Sequence, residues 1–202
     1  MNGYSDRVSH ALAFAAKHHS VHAPMLGRLT FISRPANVAI ILARHGADEI
    51  TLVAGVVHHA LEVIPEGDRH PVERKINDKF GPAVLAVARD AAECCVEYDG
   101  SPVPWVQRKR AMLARLRAME PRALDICCAD EIHECGSAIA LAQRLGPEYL
   151  EAHDLGSGTH ALGWYRDLIE SLVRRVDWTS RGMCHELRYL LERLAPTLGE
   201  GR

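Results

Sequence analysis

Long apolar runs are missing from the sequence. Its longest uncharged apolar stretch covers residues 50–57, far short of the about 20 residues that a membrane-spanning helix needs. The first residues also lack the basic start and continuous apolar core of a secretory signal peptide. We therefore expect a cytoplasmic protein with no membrane partner.

Paired-cysteine motifs and a strong net charge are also missing. None of the six cysteines has the CxxC spacing of metal or redox sites, so we expect small buried hydrophobes inside helices. The formal net charge is -2, which gives no electrostatic footprint for nucleic acid. A local basic cluster is interpreted as a solvated helix face, or alternatively as an anion-binding rim beside a pocket; it comprises Arg108, Lys109, Arg110, Arg115 and Arg117.

Helical periodicity dominates the rest of the chain, and no alternating strand pattern is present. The 202 residues suit one domain, so we predict a single all-α bundle over residues 1–202. Proline, glycine and capping residues divide it. The predicted helices cover residues 5–22, 34–43, 51–63, 82–97, 105–118, 121–141, 159–176 and 182–194, with a further short helix ending at Phe80.

One predicted helix, TLVAGVVHHALEV at residues 51–63, is apolar on nearly every face yet contains His58, His59 and Glu62. Such a helix is buried on all sides, and buried polar groups need partners. His58 and Glu62 are four residues apart and share a face, whereas His59 points about 100° away.

A second mostly apolar helix contains Asp130, His133 and Glu134 at spacings that share a face. The two helices together predict a polar site inside the bundle, where converging imidazoles and carboxylates require a positive charge. The alternative is that these are two core helices whose polar residues satisfy one another.

Several short motifs follow one another in a characteristic order. They are Phe14-Ala15 with His19, Phe31-Ile32-Ser33-Arg34-Pro35, Val56-Val57-His58-His59 with Glu62-Val63, Phe80-Gly81, and Ala129-Asp130-Glu131 with Glu134. Their order and spacing resemble the HD-domain metal-dependent phosphohydrolases, in particular the hydrolase domain of RelA/SpoT proteins and the small alarmone hydrolases. The resemblance implies an HD-type helical bundle over most of the chain.

In that family two histidines and two aspartates bind one divalent ion, usually manganese, and a Glu-Asp pair handles the water that cleaves a 3' pyrophosphate. The resemblance places His58 and Asp130 at two ligand positions and Glu62 at the general base. At the other positions the motif is degenerate: Arg34 replaces a histidine, His59 and Val63 replace aspartates, and Glu134 replaces an asparagine. The nucleotide-binding run of Arg and Lys is replaced by His22-Ala23-Pro24-Met25.

Two hypotheses follow for the predicted site. In one, His58, His59, Asp130 and Glu134 form a remodelled centre for manganese, with iron or zinc as alternatives and His19 or His133 in reserve. In the other, Arg34 replaces the metal by pairing with Asp130 or Glu134, because a guanidinium has no acceptor for a cation; no metal cofactor is then needed.

The resemblance therefore implies a phosphohydrolase acting on a phosphoester or pyrophosphate of a small nucleotide-like molecule. Guanosine tetraphosphate hydrolysis by the family route is not expected, because the catalytic aspartate and the basic run are replaced. The alternative is a catalytically inactive homologue whose pocket binds a ligand or a partner. A homo-oligomer is compatible with either.

Overall fold

The protein is described here by a computed structural model, which describes residues 4–22, 32–146 and 158–198. Ten α-helices are described there, and Glu66–Asp68 forms a short 3-10 turn. The helices are α1 Asp6–His22, α2 Ser33–Arg44, α3 Glu49–Val57, α4 His59–Glu62, α5 His70–Phe80, α6 Pro82–Ala91, α7 Trp105–Arg115, α8 Pro121–Leu145, α9 Gly158–Arg174 and α10 Arg181–Leu194.

The predicted all-α fold is confirmed. Within the described ranges the sole β-type pairing is an isolated bridge between Val96 and Pro102. None of the helices described there combines the length and the hydropathy needed to cross a membrane.

Helix α3 lies at the centre because seven of its nine residues, from Thr51 to Val57, are buried. The Asp48 side chain caps its first turn by accepting a hydrogen bond from the Thr51 amide. Around it pack α1, α2, α6 and the long helix α8, which also packs against α10. The apolar faces of α3 and α8 therefore bring together the two polar stretches that the sequence indicates.

The predicted helix over residues 51–63 is divided at His58. Helix α3 ends at Val57 and α4 begins at His59, and the Leu61 amide donates to the His58 carbonyl at 2.8 Å, in a tighter turn. At this break the rings of His58 and His59 lie with their centroids 3.9 Å apart. The expectation that the two side chains diverge as in a regular helix was therefore wrong.

Helix α6 ends at Ala91, six residues before the predicted end at residue 97. Arg115 from α7 donates hydrogen bonds to the carbonyls of Asp90 and Ala92, and it thereby satisfies acceptors at the end of α6. Cys94 and Cys95 consequently lie outside any helix, and Cys94 is exposed. The prediction that every cysteine is a buried helical residue holds for the other four only.

The interpretation of the basic cluster as a solvated helix face was also wrong in part. Lys109 is only 7% exposed, and Arg115 points inward to the end of α6. Arg110 and Arg117 are exposed as expected. Helix α7 therefore directs three of these cations, Arg108, Lys109 and Arg115, at the segment after α6.

Two glycine substitutions, one in α3 and one in α8, should change the stability of the protein differently. A Cβ at Gly55 would lie 2.6 Å from Leu42 Cδ1, whereas a Cβ at Gly136 in α8 would meet nothing within 4 Å. Gly136→Ala should stabilise the protein by up to about 1 kcal/mol through helix propensity. Gly55→Ala should be less stable than Gly136→Ala by about 1–3 kcal/mol because Leu42 is fully buried. Urea unfolding measures both, and equal stabilities would contradict the prediction.

Candidate active site

Arg34, in the first turn of α2, contacts both predicted carboxylates of α8. Its Nε donates to Asp130 Oδ1 at 3.0 Å, and its Nη2 donates to Asp130 Oδ2. Its Nη1 lies 2.6 Å from Glu134 Oε1. Because residues 130 and 134 share a face of α8, one guanidinium binds both. The structure therefore brings Arg34, Asp130 and Glu134 together.

The surroundings favour the charged forms of both Arg34 and Asp130. Burial opposes ionisation of Asp130, but Arg34 and His59 outweigh it and hold the pKa of Asp130 well below its usual value. Burial likewise disfavours the guanidinium, but Asp130 and Glu134 raise the pKa of Arg34 well above its ordinary value. Arg34 and Asp130 thus form a charged bidentate pair.

His59 contacts the same carboxylate from α4. Its Nε2 lies 3.1 Å from Asp130 Oδ1. An ionised carboxylate only accepts hydrogen bonds, so Nε2 of His59 carries the proton and donates. Asp130 consequently orients His59 while Arg34 orients Asp130.

His58, at the break between α3 and α4, is 1% exposed. Its Nδ1 lies 2.9 Å from the carbonyl oxygen of Gly55, and a carbonyl accepts only, so Nδ1 carries the proton. Nε2 therefore holds the lone pair, and it lies 3.8 Å from Glu62 Oε1. Burial, with His59, lowers the pKa of His58 to about 4, so its ring is neutral at pH 7.

Glu62 ends α4 and is 7% exposed. Its Oε1 accepts a hydrogen bond from the backbone amide of Glu93 at 3.0 Å. Burial works to raise the pKa of Glu62, but neighbouring groups, among them the Arg34 guanidinium, outweigh it, and the pKa is lowered. Glu62 is therefore a buried carboxylate beside a neutral imidazole.

The donor atoms of His58, His59 and Glu62 lie within 4.8 Å of one another, as a metal site requires. Two imidazoles and a carboxylate suit manganese, iron or zinc, so these residues fit a divalent ion. Asp130 and Glu134 do not join such a group in the described part of the chain, where both instead pair with Arg34. The structure thus divides the predicted four-residue ligand set and adds Glu62 to its histidines.

His133 is the remaining predicted site residue whose side chain the structure describes. His133 is half-buried on α8, with its Nε2 3.4 Å from Ser137 Oγ, and burial lowers its pKa. His19 belongs to α1, but its side chain and residues 23–31 are outside the described part of the structure. Glu93 was not predicted from the sequence, because it contributes a backbone amide that any residue type could supply.

Removing the guanidinium should expose the cost of burying Asp130. We expect Arg34→Met to destabilise the protein by about 2 kcal/mol or more, because an uncompensated buried charge remains. Arg34→Met combined with Asp130→Asn should recover much of that loss, since the carboxylate charge is then absent. Denaturant unfolding of the two single variants and the double variant measures this coupling. If the stability losses of the two single variants simply add up in the double variant, the expectation is refuted.

The lowered pKa of His58 should make the stability of the metal-free protein depend on pH. The unfolded histidine, with a pKa near 6.5, binds a proton more readily than the folded one, with a pKa of about 4. Stability is therefore full above pH about 6.5 and falls as the pH drops toward 4, by on the order of 2–3 kcal/mol. His58→Gln should show a shallower decline in unfolding experiments with chelator, and parallel declines would count against this assignment.

Comparison with known proteins identifies the family and the fold. The family model described as "HD domain" matches residues 11–145, more than half of the chain. No curated protein matches. Two solved structures share the fold at 18% identity. One is a protein of Listeria monocytogenes EGD-e, with a TM-score of 0.60 over 79% of this chain and 99% of its own.

The other is a metazoan orthologue of SpoT described as hydrolysing ppGpp. Its TM-score is 0.61 over 98% of this chain and 99% of its own. At this identity the likeness concerns the fold alone. The family match, over more than half of the chain, shows that the chain belongs to the HD domain family.

Proposed function

We propose that this protein hydrolyses a phosphoester or pyrophosphate of a small nucleotide-like molecule, with a divalent ion, manganese first, held by His58, His59 and Glu62. The observation that carries the proposal is the grouping of these three donors within 4.8 Å at the centre of an HD-type bundle. Three protein ligands leave coordination positions open for water and substrate.

Each of the three residues is prepared for binding an ion. His58 is neutral, and its Nδ1 bond to Gly55 leaves Nε2 as the donor atom. His59 is oriented by Asp130 through Nε2, which leaves Nδ1 to face an ion. Glu62 supplies negative charge and is held by the Glu93 amide. When bound, a divalent ion supplies an activated water and polarises a phosphoryl oxygen.

Asp130 has a different role in this proposal from that implied by the family motif. It accepts from His59 and is clamped by Arg34, which is the arrangement of an outer carboxylate that orients a ligating histidine. Arg34 compensates the charge of Asp130 and Glu134. Glu62 lies outside these ion pairs and keeps a negative charge, which attracts a cation.

The substrate is expected to differ from guanosine tetraphosphate bound as in the alarmone hydrolases. Residue 63, where the family has its catalytic aspartate, is valine and packs against the hydrophobic core. Val63 can neither accept nor donate a proton, so any proton transfer near the attacking water depends on other groups. A small phosphorylated or nucleotide-like ligand remains the proposed substrate class.

A second candidate function is supported by the bidentate pair of Arg34 and Asp130. A guanidinium already provides positive charge beside Asp130 and Glu134, so the site needs no ion to satisfy those two carboxylates. In this alternative the protein is a catalytically inactive homologue, and its site serves ligand or partner binding.

Metal content and turnover distinguish the two candidates. After loading with Mn²⁺ and dialysis, the protein should retain about one ion per chain and hydrolyse p-nitrophenyl phosphate in a Mn²⁺-dependent manner. His58→Ala should lose both, because it removes a ligand, whereas His70→Ala, at an exposed histidine, should lose neither. Elemental analysis and the phosphatase assay measure these outcomes.

Two further variants sharpen the result. Glu62→Gln should lower Mn²⁺ affinity if Glu62 is a ligand; retained ion with lost turnover would instead assign it as the general base that the family motif implies. Should the parent protein bind no Mn²⁺ while Arg34→His gains it, the metal-dependent proposal falls and the inactive alternative replaces it.

A further inference from the structure

Lys109 of α7 is a buried cation with no direct contact to the candidate active site. Its Nζ lies 2.8 Å from Glu93 Oε1 and 2.6 Å from Glu131 Oε1. Trp164 donates from Nε1 to Glu131 Oε2 at 3.1 Å, and its ring centroid lies 5.1 Å from Lys109 Nζ. Burial disfavours the ammonium, but Glu131 and Glu93 raise the pKa of Lys109 above its ordinary value. Lys109 is therefore a charged link between α7, α8 and the segment after α6.

Glu93 is held at several points. Its carboxylate binds Lys109 through Oε1 and Arg108 through Oε2, the latter at 3.3 Å. Its carbonyl accepts from Arg69 Nη2 at 2.8 Å, and Arg69 also donates from Nε to the Ile64 carbonyl. Its amide donates to Glu62 Oε1 at 3.0 Å. One residue thus connects the buried cations to the site carboxylate.

The position of the Glu93 amide is not set by a helix. Helix α6 ends at Ala91, and residues 92–95 have no regular secondary structure. A backbone amide in an irregular segment is ordered by the contacts of its own residue and its neighbours. For Glu93 these contacts are the ion pairs of its side chain, the hydrogen bond of its carbonyl, and the bond from Arg115 to the Ala92 carbonyl, which lies in the same peptide group as the Glu93 amide.

We propose that Lys109 is a positioning residue for the active site: through its ion pair with Glu93 it fixes the amide that orients the Glu62 carboxylate. The expected effect on ion binding rests on the proposed function. The orientation of Glu62 rests only on its hydrogen bond with the Glu93 amide. Groups that orient a metal ligand from outside the coordination sphere typically change affinity by about 10–100-fold. Loss of the ion pair should therefore weaken ion binding without removing any ligand.

The test compares two buried glutamates that share Lys109. Glu93→Ala removes the carboxylate but keeps the amide, and Glu131→Ala removes the other partner of Lys109 and leaves Glu93 untouched. We expect Glu93→Ala to weaken Mn²⁺ binding about 10-fold or more and Glu131→Ala to have a much smaller effect. Glu93→Gln should recover part of the affinity, because an amide oxygen still accepts from Lys109. Titration of free Mn²⁺ by electron paramagnetic resonance measures all four proteins.

A second measurement needs no metal. In the metal-free protein, hydrogen exchange of the residue 93 amide should be about tenfold faster in Glu93→Ala than in the parent, for a loss of about 1.4 kcal/mol. The same amide in Glu131→Ala should exchange at close to the parent rate. Lys109→Met, which leaves Arg108 to hold Glu93, should fall between the two and replaces Glu93→Ala if that variant does not fold.

The outcomes separate this inference from the proposed function. If the parent binds no Mn²⁺, the proposed function fails, and amide exchange alone then decides whether Lys109 and Glu93 position Glu62. Unchanged exchange at residue 93 in Glu93→Ala, or equal effects of Glu93→Ala and Glu131→Ala on exchange and affinity, would overturn the inference. The network would then serve only to stabilise the fold, as a lower melting temperature without those changes would indicate.

Discussion

The bidentate contact between Arg34 and Asp130 is the interaction on which the rest of the site depends. A carboxylate this far inside a bundle needs a positive partner, and here the partner is a side chain of α2. Because both oxygens of Asp130 are engaged, Asp130 acts on its surroundings through His59. In the proposed function Asp130 therefore orients His59 instead of occupying the ligand position that the resemblance implies.

Three buried carboxylates in and beside the site, Asp130, Glu131 and Glu62, each have a different kind of partner. Asp130 has a guanidinium, Glu131 has an ammonium and an indole N–H, and Glu62 has a backbone amide beside a neutral imidazole. Asp130 and Glu131 therefore contact full positive charges directly, and Glu62 contacts a backbone amide. In the described part of the chain, the donor atoms close enough to share a cation are those of His58, His59 and Glu62.

The HD-type fold and the chemistry of its centre follow separate constraints in this chain. The fold depends on the burial of α3 among α1, α2, α6 and α8, which hydrophobic residues of the right period provide. The chemistry depends on a few side chains at the meeting point of those helices, and these can change without altering the packing around them. The chain matches the HD domain family, while several of its residues differ from the motif that the resemblance implies.

The sequence by itself determined the all-α class and most helix bounds, because apolar periodicity and capping residues such as Asp48 act over a few neighbouring positions. The pairing of Arg34 with Asp130 or Glu134 was one of two hypotheses that the sequence left open. Only the tertiary structure decided that His59 would bond to Asp130 and that Lys109 would be buried. These outcomes depend on which groups from distant segments reach the same buried volume, since a charged side chain turns inward only where an opposite charge compensates its desolvation.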